Sequence, residues 1–150
     1  MASGAMAGAT LMSLNFLPHW AATPDADTKF ACFATSPAID SRGANLFSEG
    51  MGAFVLILVA TAMSSKAAGP LIPGLGPYLV GMLVWAIGLS LGGTTGYAIN
   101  PARDLGPRIM HAVLPIPMKG VTNWNYAVVP VLGPVVGAAI AGLLAKLIGF

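Results

Sequence analysis

The chain has 150 residues, of which 56% are hydrophobic and 8% charged, with a formal net charge of +2. A water-facing domain carries about a quarter charged residues, so this composition excludes an ordinary soluble fold. The seven Lys and Arg residues are scattered rather than gathered on one face, which excludes nucleic-acid binding. No Asp, Glu, Lys or Arg falls between Ala67 and Ala102 or between Gly120 and Ala145, and each gap exceeds the roughly 20 residues that cross a bilayer as helix. Cys32 stands alone, without His or Cys at metal-ligand spacing, so neither an internal disulfide nor a metal site is expected.

Residues 1 to 16 are apolar. They lack the basic flank and small-residue cleavage site of a signal peptide, and are too short to span a membrane. The chain is therefore expected to open within a helix, whose small residues Gly4, Ala5, Ala7, Gly8 and Ala9 offer a packing face. Pro18 ends it. Residues 17 to 45 hold Pro24, Pro37, Gly43 and the charges Asp25, Asp27, Lys29, Asp40 and Arg42, which predicts a solvated loop.

Residues 46 to 65 are long and apolar enough for a span, with a single acid, Glu49, near the start. Gly69, Pro70, Pro73, Gly74 and Gly76 break the helix that follows. Pro77 suits a first helical turn, and the next span runs to about Leu91 with Gly81, Gly88 and Gly92 as close-packing positions. Gly93 to Asn100 is uncharged but too glycine-rich for helix. Pro101 opens a helix of about 13 residues, half a membrane thickness, reaching Val113. Residues 114 to 126 read as loop. Residues 127 to 148 span again, with Gly133, Gly137 and Ala141 at four-residue spacing as a packing stripe.

The chemistry concentrates in Gly96-Tyr97-Ala98-Ile99-Asn100-Pro101-Ala102-Arg103-Asp104. Extended backbone feeding a half-helix inside an apolar protein is tolerated only where it lines a polar path. Asn100 sits where an N-cap belongs and Pro101 at the first helical position, so the positive end of the half-helix dipole points into that path and repels cations. On three residues alone an ordinary cap before proline reads the same way. Arg103 adds a permanent charge that is costly at this depth unless water or a partner meets it; a snorkelling arginine paired with Asp104 is the other reading. The carbonyls of Gly96, Tyr97 and Ala98 would accept, while Asn100 and Arg103 donate. A neutral hydroxylated solute needs both.

Residues 96 to 108, Gly-Tyr-Ala-Ile-Asn-Pro-Ala-Arg-Asp-Leu-Gly-Pro-Arg, resemble the second Asn-Pro-Ala signature of the aquaporin superfamily, in the Arg-Asp form of the bacterial glycerol facilitators. The resemblance runs from about Ala44 to Gly149, and residues 1 to 16 resemble the end of that family's third helix. It implies an all-α membrane protein: an aquaporin-like half repeat of three transmembrane helices, one re-entrant half-helix and a remnant N-terminal helix. Residues 17–45 would then be an extracellular loop and residues 46–150 the second aquaporin-type repeat. The charges alone orient the chain the other way, since the turn after the second segment holds only Lys66 while the opposite side collects Lys29, Arg42 and Lys119.

Carried over by position, Asn100 resembles the asparagine that donates to the solute midway through the pore, and Arg103 the arginine of the outer constriction. Tyr97 falls at the aromatic wall. Gly88 falls where a small residue leaves room for a carbon chain, and it also forms a Gly-xxx-Gly pair with Gly92. Glu49 corresponds to a buried glutamate that accepts hydrogen bonds from the re-entrant backbone; a headgroup-level acid at a helix start is the plainer reading. Pro101 and Asp104 support the half-helix. His19 and His111 receive no role.

The implied activity is passive passage of glycerol, similar small neutral solutes and water across a bacterial cytoplasmic membrane. No enzyme activity, cofactor or metal is expected. The first Asn-Pro-Ala signature and the first spans of the family are missing, so the expectation is either a homotetramer of a longer protein or a chain that needs a complementary N-terminal half. A nonconducting half-channel is the alternative. A secondary transporter, which also uses broken helices, ranks last for want of an ion or proton site.

Overall fold

A computed structural model describes residues 1–69 and 72–150. The elements run α1 (Ala2–Asn15), α2 (Leu17–Ala22), α3 (Ala26–Ala31), α4 (Arg42–Met63), a 3-10 turn (Lys66–Ala68), α5 (Leu75–Leu91), α6 (Pro101–Val113) and α7 (Val128–Ile148), with no strand among the described residues. Pro70, expected in the turn after the second segment, lies outside them.

α4 and α7 have 22 and 21 residues and apolar stretches of mean hydropathy 1.8 and 2.2, long and apolar enough to cross a membrane. α5 has 17 residues and rises about 26 Å at roughly 1.5 Å per residue, close to the roughly 30 Å hydrocarbon thickness. Trp85, Leu89, Leu143 and Leu147 point outward, exposed by 61% to 82%. Such an exterior suits lipid rather than water.

The longest helix pairing sets α7 along α4. Its cause is the small-residue stripe: a Cβ on Gly137 would overlap the Gly50 carbonyl, and one on Gly133 would come 2.8 Å from the Glu49 Cβ. Both glycines thus let two backbones meet. Ala141, next on the stripe, is fully buried. α1 packs on α6, where a Cβ on Gly106 would lie 2.9 Å from Ala5 Cβ.

Two expectations need correction. α4 begins at Arg42 rather than at position 46, because Asn45 turns its amide back to the Ile39 carbonyl at 3.0 Å and so tolerates the helix start. The connection before it is not a plain solvated loop. It contains α2 and α3 and contributes Trp20, Phe30, Phe33 and Ala34 to a buried cluster with Ala9 and Ile116. Lys29, expected as a solvated charge, is fully buried and donates to the Pro117 carbonyl at 2.6 Å. Asp25 caps α3 by accepting from the Thr28 amide at 2.8 Å, and that bond together with one from the Thr28 hydroxyl holds its carboxyl below the usual 3.8.

Candidate functional site: the break before the half-helix

α6 starts at Pro101, with Asn100 as its N-cap: the Asn100 Oδ1 accepts from the Ala102 amide at 2.9 Å. That bond occupies only the oxygen. Among the described residues the Asn100 Nδ2 group meets no acceptor and remains a donor at the positive end of the helix.

The segment before it is bent by left-handed backbone at Gly96, Tyr97 and Ile99, with φ of 78°, 42° and 45°. Glycine adopts this region freely, whereas Tyr97 and β-branched Ile99 are costly there, by about 1–3 kcal/mol each. Glu49 offsets that cost. Its carboxylate is buried and accepts from the Ala98 amide at 2.9 Å and the Ile99 amide at 2.7 Å. The Ile99 side chain sits over Gly52, where an added Cβ would come within 2.7 Å of its Cγ2. One acid and one glycine of α4 therefore fix the break.

Two expected site residues sit differently from their reading. Ala98, whose carbonyl was expected to face the path with those of Gly96 and Tyr97, is a fully buried residue, while Tyr97 is 37% exposed. The space beside Gly88 is not open. The Tyr97 ring fills it, and a Cβ on Gly88 would lie 2.9 Å from Tyr97 Cζ. Gly88 thus lies against the face of the phenol.

Arg103 is exposed at a cavity of about 510 Å³ that also touches Asp27, Thr35, Ser36 and Gly96. Its guanidinium lies 5.7 Å from the Tyr97 ring centroid and has no hydrogen bond among the described residues. The expected alternative pairing with Asp104 does not occur. Asp104 is buried and bonded to Arg108, Nε to Oδ1 at 2.7 Å and Nη2 to Oδ2 at 3.0 Å. Its Oδ2 also accepts from the Thr35 amide at 2.8 Å and hydroxyl at 2.7 Å. The two charges at i,i+4 on a half-helix were the signal that sequence reading passed over.

His111 is buried as well, between the edges of Phe30 and Phe33, and its Nδ1 lies 2.7 Å from Thr122 Oγ1. A second cavity of about 550 Å³ lies between α4 and α7, lined by apolar residues such as Phe54 and Val136. It offers nothing to a polar solute.

A bent segment, a half-helix capped by Asn100 with a spare side-chain amide, and a guanidinium without a hydrogen bond among the described residues thus meet at the start of α6. Residues 2–145 match the Major intrinsic protein family, and the chain belongs to it. It is an integral membrane protein. It is 52% identical over 141 residues to a probable glycerol uptake facilitator protein of Thermotoga maritima, covering 94% of this chain and 59% of that one. It is 54% identical over 140 residues to the glycerol uptake facilitator protein of Bacillus subtilis, covering 93% and 50%. The chain thus spans about half to three-fifths of the length of these relatives. The aquaglyceroporin of Plasmodium falciparum superposes with a TM-score of 0.77 at 24% identity, over 98% of this chain and 61% of that one, which identifies the fold as an aquaporin-like half.

Proposed function

We propose that the chain supplies the arginine-bearing half of a passive channel for glycerol and similar small neutral solutes, with water, in a bacterial cytoplasmic membrane. The observation that carries this reading is the Glu49 clamp on the Ala98 and Ile99 amides, which leaves the Gly96 and Tyr97 carbonyls as acceptors beside the donors Asn100 and Arg103. A polyol moving along that edge exchanges water for acceptor and donor groups in turn, while the Tyr97 ring covers its carbon side. The positive ends, Arg103 and the α6 N-terminus, oppose cations. The relatives' names point to the same solute.

Stopped-flow light scattering on proteoliposomes tests the proposal, with this chain reconstituted alone and together with the N-terminal half of the Bacillus subtilis relative. Glycerol entry well above empty liposomes in the second preparation supports it. Entry at the background rate in both would leave a nonconducting subunit. The tetramer that the resemblance implies belongs to the same proposal, and chemical crosslinking in the bilayer checks it.

A further inference from the structure

Arg103 and Asp104 are adjacent and opposite in charge at the start of α6, so the carboxylate is the natural partner to neutralise the guanidinium. It is engaged elsewhere. Both Asp104 oxygens are taken by Arg108 and Thr35. Arg108 is in turn fully buried, donates from Nη1 to the Asn123 carbonyl at 2.6 Å and from Nη2 to the Thr35 carbonyl at 2.9 Å, and lies 5.1 Å from the Phe30 ring centroid. The compensated pair is closed within the protein, and the remaining positive charge, Arg103, stands at the cavity.

We infer that Arg108 is a positioning residue for selectivity: by satisfying Asp104 it keeps the Arg103 charge unshared at the mouth of the path. The inference rests on the channel reading for its meaning, but the charge at the mouth is measurable without any flux. A brace alone would not require an ion pair here, because a neutral hydrogen-bonding pair avoids the desolvation of two charges.

Ser36 is exposed and lines the same cavity as Arg103, and Cys32 is an exposed free thiol. On a Cys32→Ser, Ser36→Cys background of the full chain in liposomes, the rates of reaction with an anionic and a cationic methanethiosulfonate give a ratio that reports the local potential. Asp27 lines the same cavity and contributes an opposite charge, so the parent ratio is the reference, and Arg103→Gln should lower it. Arg108→Gln should lower it by about fivefold, as an uncompensated carboxylate bonded to Thr35, the neighbour of position 36, would. Arg108→Lys should hold it within about twofold of the parent, and the neutral pair Asp104→Asn with Arg108→Gln should restore it.

An unchanged ratio in Arg108→Gln, or a double variant as low as the single one, would overturn the inference. Should Arg108→Gln not fold, Asp104→Asn alone must raise the ratio, since it leaves Arg108 uncompensated; no rise overturns the inference equally. Glycerol flux of the parent is recorded in parallel. A parent that passes no glycerol defeats the channel reading, while the ratios still decide the role of Arg108.

Discussion

The Glu49 carboxylate on α4 accepts the amide of Ile99 at 2.7 Å across the break that precedes α6. Replacing it with Gln keeps one acceptor oxygen and turns an amide nitrogen, itself a donor, toward the other backbone N–H. The loss of charge-assisted bonds to a buried group is about 1.5–3 kcal/mol. Glu49→Gln should therefore lower the unfolding midpoint in detergent and reduce flux without reordering a series of polyols by length. A changed order would mean that Glu49 meets the solute itself.

Glu49 stands out in the sequence as the lone acid in an apolar run, but its acceptor role follows only from the family resemblance; the bounds of α6 were legible because Asn100-Pro101 follows a glycine-rich stretch that cannot be helix. The Arg108 network was not. It joins Thr35 and Asn123 to a half-helix across 73 and 15 positions, and such contacts leave no period in the chain. Lys29, Phe30 and Phe33 were hidden for a related reason: they sit among prolines and charges that signal a loop, and only the tertiary packing against Ile116 and His111 reveals a core. The filling of the Gly88 space by Tyr97 likewise depends on the left-handed turn at Tyr97, which no propensity predicts.

Gly88→His should push the Tyr97 ring off its seat, since even a Cβ at that position meets the ring at 2.9 Å. A displaced phenol narrows the path, so glycerol flux should fall more steeply than water flux. Adding Tyr97→Ala to Gly88→His should recover part of the glycerol flux. Equal losses of both solutes, unrelieved by the second change, would contradict the seating of the ring.

Asp25 gives a pH dependence. Its folded carboxyl titrates below the usual 3.8, chiefly through the Thr28 hydroxyl and amide, so its contribution to α3 is present above the unfolded value and lost as pH falls through the folded one. Protection of the Thr28 amide, its exchange compared with an unstructured peptide at the same pH, should fall below about pH 4 in the parent and be low at every pH in Asp25→Ala. Protection at Thr28 that survives acid would remove Asp25 as the cap.

Arg103→Val removes the unshared charge and its donors while leaving the α6 dipole and Asn100 in place. The barrier to cations should drop to the portion that the dipole alone supplies. Proton entry, read by quenching of a trapped pH dye in liposomes carrying this chain with its complementary half, should become measurable while glycerol still passes. A variant as tight as the parent would leave exclusion to the half-helix alone.

The most direct measurement is simultaneous glycerol uptake and ionic current in the same reconstituted membranes, again with the chain and a complementary N-terminal half. A neutral-solute path built from the Gly96 and Tyr97 carbonyls, Asn100 and Arg103 predicts glycerol entry many times faster than through lipid alone, with no current above background under an applied voltage. Glycerol entry no faster than through bare lipid, or a current that rises with the amount of protein, would contradict it.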